Sequence, residues 1–429
     1  FVEHTGRGPV SVYKQSAVRL YRIPRVLPLM HTEVLGRRDE CGRTAPDGPA
    51  GRLGSHRARD GSRGAPVGID LDRPHAALVV GKRGYGKSYT LGVLAEEAAR
   101  ARGVAPVVVD PMGVFRGLAD DATGTPVPAR IVDEPTIRAD AIPPARWPQL
   151  VGSDPDQPIG ALVWHAASTA ATLSEMRAVV DAADATADVR RAAGNRLRRA
   201  DSWGVFDPAG LDAHALAGGE ATILDCSDLD DAPSNAVVAG VAAALYDARL
   251  GRGAAGVAGA EPPAVERLPW LFVDEAHVFF EGVAGASLRA ILTRGRAPGV
   301  SLVAATQRPS ALPAVAVSQS DLRIVHRLTA GPDVRALAAA DPAYVDTDVT
   351  DAMPTAPGEA LVVDDTAEAT RTVAVRERDT PHGGASPRAS AVAAASPTSA
   401  AASHADSAEA TDTGTADPDA TETDEYTRV

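Results

Sequence analysis

The sequence predicts an α/β protein with parallel strands, and three observations carry that reading. Short, predominantly apolar runs recur between helical stretches, at Ala76–Val80, Ala105–Val109, Ala221–Leu224, Trp270–Val273 and Val300–Ala305, with a further strand-like run at Leu322–Leu328. Runs of this length without polar alternation suit strands covered on both faces. The first run opens into Gly81-Lys82-Arg83-Gly84-Tyr85-Gly86-Lys87-Ser88 and then a helical pattern with Leu91, Leu94, Ala95 and Ala98 at spacings of three and four. Several of the other runs close on a polar residue, as in Asp110, Asp274 and Gln307. In an open parallel sheet, that is where ligands are met.

The eight-residue loop fits G-x-x-x-x-G-K-[ST]. Its glycines let successive backbone N–H groups turn toward phosphate oxygens, and the following helix adds the positive end of its dipole. Gly81 through Tyr89 is the expected nucleotide-binding stretch, with Lys87 reaching the β- and γ-phosphates and the Ser88 hydroxyl ligating Mg²⁺. Only three lysines occur in the chain, Lys14, Lys82 and Lys87, so a chance match is rare at this composition.

Downstream, Trp270–Val273 ends in Asp274-Glu275. Asp274 suits the Mg²⁺ shell, and the adjacent Glu275 suits a general base acting on water. His277 reads as a packing or hydrogen-bonding group rather than a catalyst. Gln307, at the tip of the following strand, can sense the γ-phosphate or orient the water without ionising. Asp110 has two open readings, toward the ligand crevice or capping the turn after its strand.

Length and composition set the frame. With 429 residues and 45% hydrophobic content the chain can bury a sizeable core. The longest apolar stretch, Ala236 to Tyr246, is too short to cross a bilayer. No signal peptide or lipidation motif is visible, so a cytoplasmic protein without a membrane span is expected. Two cysteines, Cys41 and Cys226, give neither a disulfide framework nor metal-ligand spacing. The net charge of −13 would argue against nucleic acid, but 40 of the 43 basic residues are arginine and Asp and Ala are abundant. That style resembles proteins of salt-loving archaea, in which an acidic surface is background and a nucleic-acid groove would be a local basic patch.

Residues 1–65 look foreign to the rest. Residues 1–64 carry a net charge of +6, with Gly, Pro, Arg and Ser dominating from Gly42 to Gly64. A disordered basic arm, a fragment of a further domain and translated sequence upstream of the true start all fit; Phe1 is no start residue and Met30 is the only methionine ahead of the loop. From residue 66 to 378 the pattern is that of one ATPase-type domain, with Val67–Leu71 as an edge strand. Residues 126–215 read as a helical insertion, opened in part by the capping box Thr172-Leu173-Ser174-Glu175. Arg190, Arg191, Arg196, Arg198 and Arg199 could touch phosphates or form a solvated helix face. Residues 379–429 read as a disordered acidic tail rich in Ala, Ser, Thr and Asp.

Taken together, GKRGYGKS, LFVDEAH, GRAPGVSLVAATQRPS and SQSDLRIVHRLT resemble the HerA/FtsK superfamily of DNA-pumping ATPases over residues 66–365, with conjugation-type ATPases a related possibility. The resemblance implies a RecA-like P-loop core, a mostly parallel sheet with helices on both faces, in a homo-hexamer or other ring. It implies ATP and Mg²⁺ as cofactors and DNA as partner, hence a helicase or translocase. It carries Lys87, Ser88, Asp274, Glu275 and Gln307 to the roles given above. Arg296 matches the arginine offered to a neighbour's site, with Arg327 and Arg294 in reserve. A nuclease or a secretion or conjugation complex would be the further partner. The rival expectation is a nucleotide-gated assembly ATPase of such a complex, indifferent to DNA. Two departures stand out: residues 1–65 do not read as an N-terminal β-barrel, and the turn after Asp110 is Pro-Met-Gly-Val-Phe.

Overall fold

A computed structural model describes residues 32–37, 48–58, 60–120, 126–252, 265–340, 344 and 349–384. Its strands are β1 (Glu33–Leu35), β2 (Ala50–Arg57), β3 (Arg63–Asp70), β4 (Ala76–Val80), β5 (Val104–Asp110), β6 (Ala129–Val132), β7 (Ala221–Asp225), β8 (Leu268–Val273), β9 (Ser301–Thr306), β10 (Leu322–Val325), β11 (Glu359–Asp364) and β12 (Ala369–Val375). Among the described residues they form one sheet in the order β1-β3-β2-β12-β11-β10-β4-β9-β8-β5-β7-β6. From β10 to β6 every neighbouring pair is parallel; β11, β12, β2 and β3 continue antiparallel. The loop strand β4 therefore has β9 and then β8 beside it, although both come some 200 residues later in the chain.

Alternation along the central strands assigns each side chain to a face. Ala77 and Val79 of β4, with Trp270 and Phe272 of β8, pack under helix α1 (Lys87–Arg100), against Leu91, Leu94 and Ala98. Leu78, Val80, Leu271 and Val273 pack on the other face. There they meet the helical layer that includes α2 (Pro158–Thr169), α3 (Leu173–Ala182), α4 (Ala187–Asp201), α5 (Asp231–Arg249), α6 (Ala276–Glu281) and α7 (Gly285–Arg294). Full burial of such side chains is worth about 1.5–3 kcal/mol each, which is why continuous apolar runs settle in the middle of the sheet.

Several expectations are corrected. The segment before residue 66 is not irregular where it is described: β1, β2 and the start of β3 belong to the main sheet, and β2 pairs with both β3 and β12. Its residues 1–31, 38–47 and 59 lie outside the described residues. The strand expected as an edge, β3, sits between β1 and β2. Residues 126–215 are not purely helical, because Ala129–Val132 forms edge strand β6 beside β7. The boundary at 378 is also wrong. Asp379, Thr380 and Gly383 hydrogen-bond back to the domain, which extends at least to Gly384. The remainder of the expected tail, residues 385–429, lies outside the described residues.

Local details follow the sequence signals. The Thr172 hydroxyl accepts from Glu175 N–H (3.2 Å) and the Glu175 carboxylate accepts from Thr172 N–H (3.0 Å), closing the capping box on α3. The arginines of α4 are engaged locally. Arg190 donates to the Ala183 and Ala185 carbonyls, and Arg196 and Arg199 to the Val151 carbonyl. Arg191 pairs with Asp188, and Arg198 donates to Asn195. For Asp110 the capping role stands: its carboxylate accepts from the N–H groups of Met112, Val114 and Phe115. Burial nevertheless raises its pKa above the ordinary aspartate value.

A charged cluster locks the amino end of β4 to the outer strands. His75 is buried, with Nδ1 2.9 Å from Asp321 and Nε2 3.7 Å from Asp70, while Arg37 holds Asp70 at 2.5 Å. Burial alone would lower the His75 pKa, but the Asp321 and Asp70 carboxylates outweigh it and raise it to about 9. An unfolded-state histidine titrates near 6.5. The folded form therefore binds the proton more tightly, and the gain is complete below pH 6.5 and lost as pH rises through about 9. Thermal melting of His75→Gln should trail the wild type most at pH 6, with the gap closing by pH values above about 9. A gap that does not change with pH would show that His75 is neutral in the fold.

Candidate nucleotide site

The carboxyl ends of β4, β8, β9 and β10 meet at one edge of the sheet, and the polar residues follow from that edge. After β4, Gly86 at φ 109 makes the left-handed turn that starts α1. Gly81 lies so close to the neighbouring strand that a Cβ there would stand 2.7 Å from the Cβ of His326. Lys82 N–H donates to the Arg327 carbonyl (2.9 Å), so the residues after β10 buttress the loop from outside. His326 Nδ1 meets the Glu359 carbonyl (2.8 Å) and Nε2 meets the Thr90 hydroxyl (2.9 Å). Burial depresses its pKa to about 4, so the ring is a neutral spacer. The Lys82 ammonium lies over the Tyr85 ring, 4.3 Å from its centroid. Arg83 and Gly84 are exposed at the loop tip.

Lys87 turns inward. Only 6% exposed, its Nζ stands 2.5 Å from Asp274 Oδ1 and 3.0 Å from Glu275 Oε1. Burial acts to lower its pKa, and the two carboxylates more than reverse this, so the lysine is cationic. The Ser88 hydroxyl donates to Asp274 Oδ2 at 2.6 Å. Glu275 occupies the left-handed region (φ 47, ψ 40) as the cap of α6, with its N–H donating to Asp274 Oδ1. A non-glycine residue there costs about 1–3 kcal/mol and persists only where its surroundings impose it. Glu275 Oε2 is buried without a hydrogen bond.

Ser88 Oγ and Asp274 Oδ2 are hard oxygen donors on facing elements, which is the donor chemistry a magnesium ion takes when phosphate oxygens complete its shell. Among the described residues no group of three or more His, Cys, Asp or Glu side chains could hold a metal without a ligand's help.

Gln307 follows β9, whose Thr306 pairs with Val80 of β4, so this half-buried side chain shares the edge. Arg327 follows β10, which pairs with β4 on its other side. Arg294 and Arg296 are elsewhere. They end α7 and precede β9, which puts them at the amino edge of the sheet, and both are exposed. Six strand residues span about 20 Å, so neither arginine can reach this chain's own loop.

Two contacts around the loop were not legible in the sequence. His277 Nδ1 lies 3.1 Å from the Thr306 hydroxyl. Burial lowers its pKa, with Arg308 adding to the effect and Glu275 opposing it. Next to Ser88, the Tyr89 hydroxyl accepts from Arg378 N–H (2.6 Å), and the Tyr89 ring meets His382 edge-on at 5.4 Å. The segment after β12 thus runs across α1 to the phosphate loop. Its only sequence trace was a short charged stretch, Arg376-Glu377-Arg378-Asp379, at the presumed domain end.

Comparison with known proteins agrees with this geometry. Residues 52–241 match the family model described as the central domain of helicase HerA. The match begins within the segment that the sequence had set apart as foreign, in β2. Among solved structures, VirB4 of Thermoanaerobacter pseudethanolicus is similar at a TM-score of 0.56 and 17% identity, covering 78% of this chain and 98% of that one. The genome packaging NTPase B204 of Sulfolobus turreted icosahedral virus 2, in complex with AMPPCP, is more distant, at a TM-score of 0.36 and 11% identity over 70% of this chain and 96% of that one. No curated protein matches the chain by sequence. The HerA-domain match, on a fold shared with VirB4 and around a complete phosphate loop, supports a P-loop ATPase whose residues 52–241 are similar to the central domain of helicase HerA.

Proposed function

We propose that the chain is a ring-forming motor that couples ATP hydrolysis to movement along DNA, acting in the cytoplasm. One observation supports the ring above the others. Lys87, Asp274, Glu275 and Gln307 gather at the carboxyl edge, whereas exposed Arg296 stands at the opposite edge of the same sheet. A site that needs an arginine for the charge on the γ-phosphoryl oxygens would then take it from a neighbouring copy. Arg294 is the reserve on that edge. Arg327, beside the loop in the same chain, would act in cis.

In this reading the N–H groups of Gly84 to Tyr89 receive the phosphates and Lys87 moves from the carboxylates to the β- and γ-phosphates. That move frees Glu275 to take a proton from the water attacking γ-phosphorus in line, giving ADP and phosphate. Gln307 orients the water. Mg²⁺, held by Ser88 and Asp274, would neutralise charge on the phosphate oxygens. Among the described residues no helix is long and apolar enough to cross a membrane. The salt-loving character read from composition makes high salt the condition to test.

DNA should stimulate ATP turnover by the purified chain at high salt. Turnover that ignores DNA of every length and salt concentration would favour the alternative, a nucleotide-gated assembly ATPase of a secretion or conjugation complex. Mixing Arg296→Ala with Glu275→Gln subunits tests the shared site. Activity should depend nonlinearly on the mixing ratio, and strictly proportional loss would place the arginine's role within one chain.

A further inference from the structure

The buried Oε2 atom of Glu275 has no hydrogen bond, yet Oε1 is held by Lys87 at 3.0 Å. A carboxylate secured at one oxygen by a group that substrate phosphates would attract loses its orientation when that group leaves. The atom placed to replace it is His277 Nδ1, 3.5 Å from Oε2 and half a turn into α6. The same nitrogen lies 3.1 Å from the Thr306 hydroxyl at the tip of β9. Thr306 Oγ1 also accepts from Arg308 N–H at 3.0 Å, which fixes the hydroxyl on the residue immediately before Gln307.

One ring nitrogen thus stands between the general base and the tip of β9. When the Thr306 hydroxyl donates to Nδ1, the ring offers Glu275 nothing. When Nδ1 carries the proton, it can turn from Thr306 Oγ1 to Glu275 Oε2 by closing less than an ångström. We propose that His277 is a positioning residue that takes over the hold on Glu275 through Oε2 as Lys87 is drawn to phosphate. Thr306 sets which partner the ring serves. The strained left-handed backbone of Glu275 needs such a constraint, because nothing intrinsic keeps a glutamate there. This inference rests on the reading of Glu275 as general base, and its test separates the two.

The test is steady-state ATPase of the full chain, with nucleotide affinity and melting temperature measured alongside. His277→Ala should lower kcat about tenfold or more with KM within about twofold, the pattern of an interaction used only in the transition state. His277→Asn, which places an amide nitrogen where Nδ1 stands, should recover most of that loss. Thr306→Val should fall in the same direction and Thr306→Ser should not. In single-turnover measurements, adding His277→Ala to Glu275→Gln should cost nothing further, because the group it positions is already disabled. A wild-type kcat for His277→Ala, an Asn variant as slow as the Ala variant, or multiplying losses in the double mutant would each overturn the positioning role. A Glu275→Gln protein that turns over normally would remove the base assignment itself, and this inference with it.

Discussion

Lys87→Ala should abolish measurable ATP turnover, a loss of at least about 10²–10³-fold, while the protein remains folded. The lysine bridges Asp274 and Glu275 from a position 6% exposed, so its ammonium already lies where the start of α1 meets the end of β8. Among the described residues the other lysine is Lys82, whose ammonium is turned onto the Tyr85 ring. Lys87→Arg should rescue little. A planar guanidinium cannot be seated between Asp274 Oδ1 at 2.5 Å and Glu275 Oε1 at 3.0 Å without displacing one carboxylate. Radiolabelled ATP hydrolysis, with nucleotide binding followed separately, decides the matter. Turnover within tenfold of wild type for either variant would mean that the loop does not carry the chemistry.

The residues that could be placed from sequence share one property: each ends or begins an apolar run in a parallel sheet. Burial on both faces makes such strands continuous, so the phosphate loop after β4, Asp274 after β8 and Gln307 after β9 are marked by where the run stops. The strands before residue 66 escaped because β2 has a single large apolar side chain, Leu53, set among Gly, Ser, Arg and His. Its identity comes from pairing with β3 and β12, contacts that no local pattern encodes. The link between His277 and Thr306 was hidden for a similar reason. It depends on the register in which β8 pairs with β9, which the apolar runs do not reveal. Arg296 shows the converse case. Its motif position was visible, but only the direction of β9 places it at the edge of the sheet opposite its own chain's loop.

Glu96→Ala should be the most destabilising single change outside the apolar core. Glu96 is fully buried on α1, and its carboxylate accepts from Thr380 Oγ1 (2.6 Å), Arg376 Nη2 (2.7 Å), Thr380 N–H (3.0 Å) and Asp379 N–H (3.2 Å), with Arg378 Nε at 3.4 Å. The segment can approach because residue 92 is glycine, where a Cβ would stand 2.7 Å from the Arg378 guanidinium. Removing the acid leaves the Arg378 guanidinium, 1% exposed, without its carboxylate partner, while Arg376 keeps Glu97 at 2.7 Å. Breaking a buried ion pair from one side costs about 3–5 kcal/mol, a fall of about 4–7 °C in melting temperature for a domain of this size. Replacing Glu96, Arg376 and Arg378 together by apolar residues should cost less than Glu96→Ala alone, since no unpaired charge is then left inside. Differential scanning calorimetry of the single and triple variants separates the cases. The same release should loosen Tyr89, whose hydroxyl accepts from Arg378 N–H one residue beyond Ser88. Glu96→Ala should therefore raise KM for ATP even at temperatures where it is fully folded. An unchanged KM beside a lowered melting temperature would limit the segment to holding α1 on the sheet.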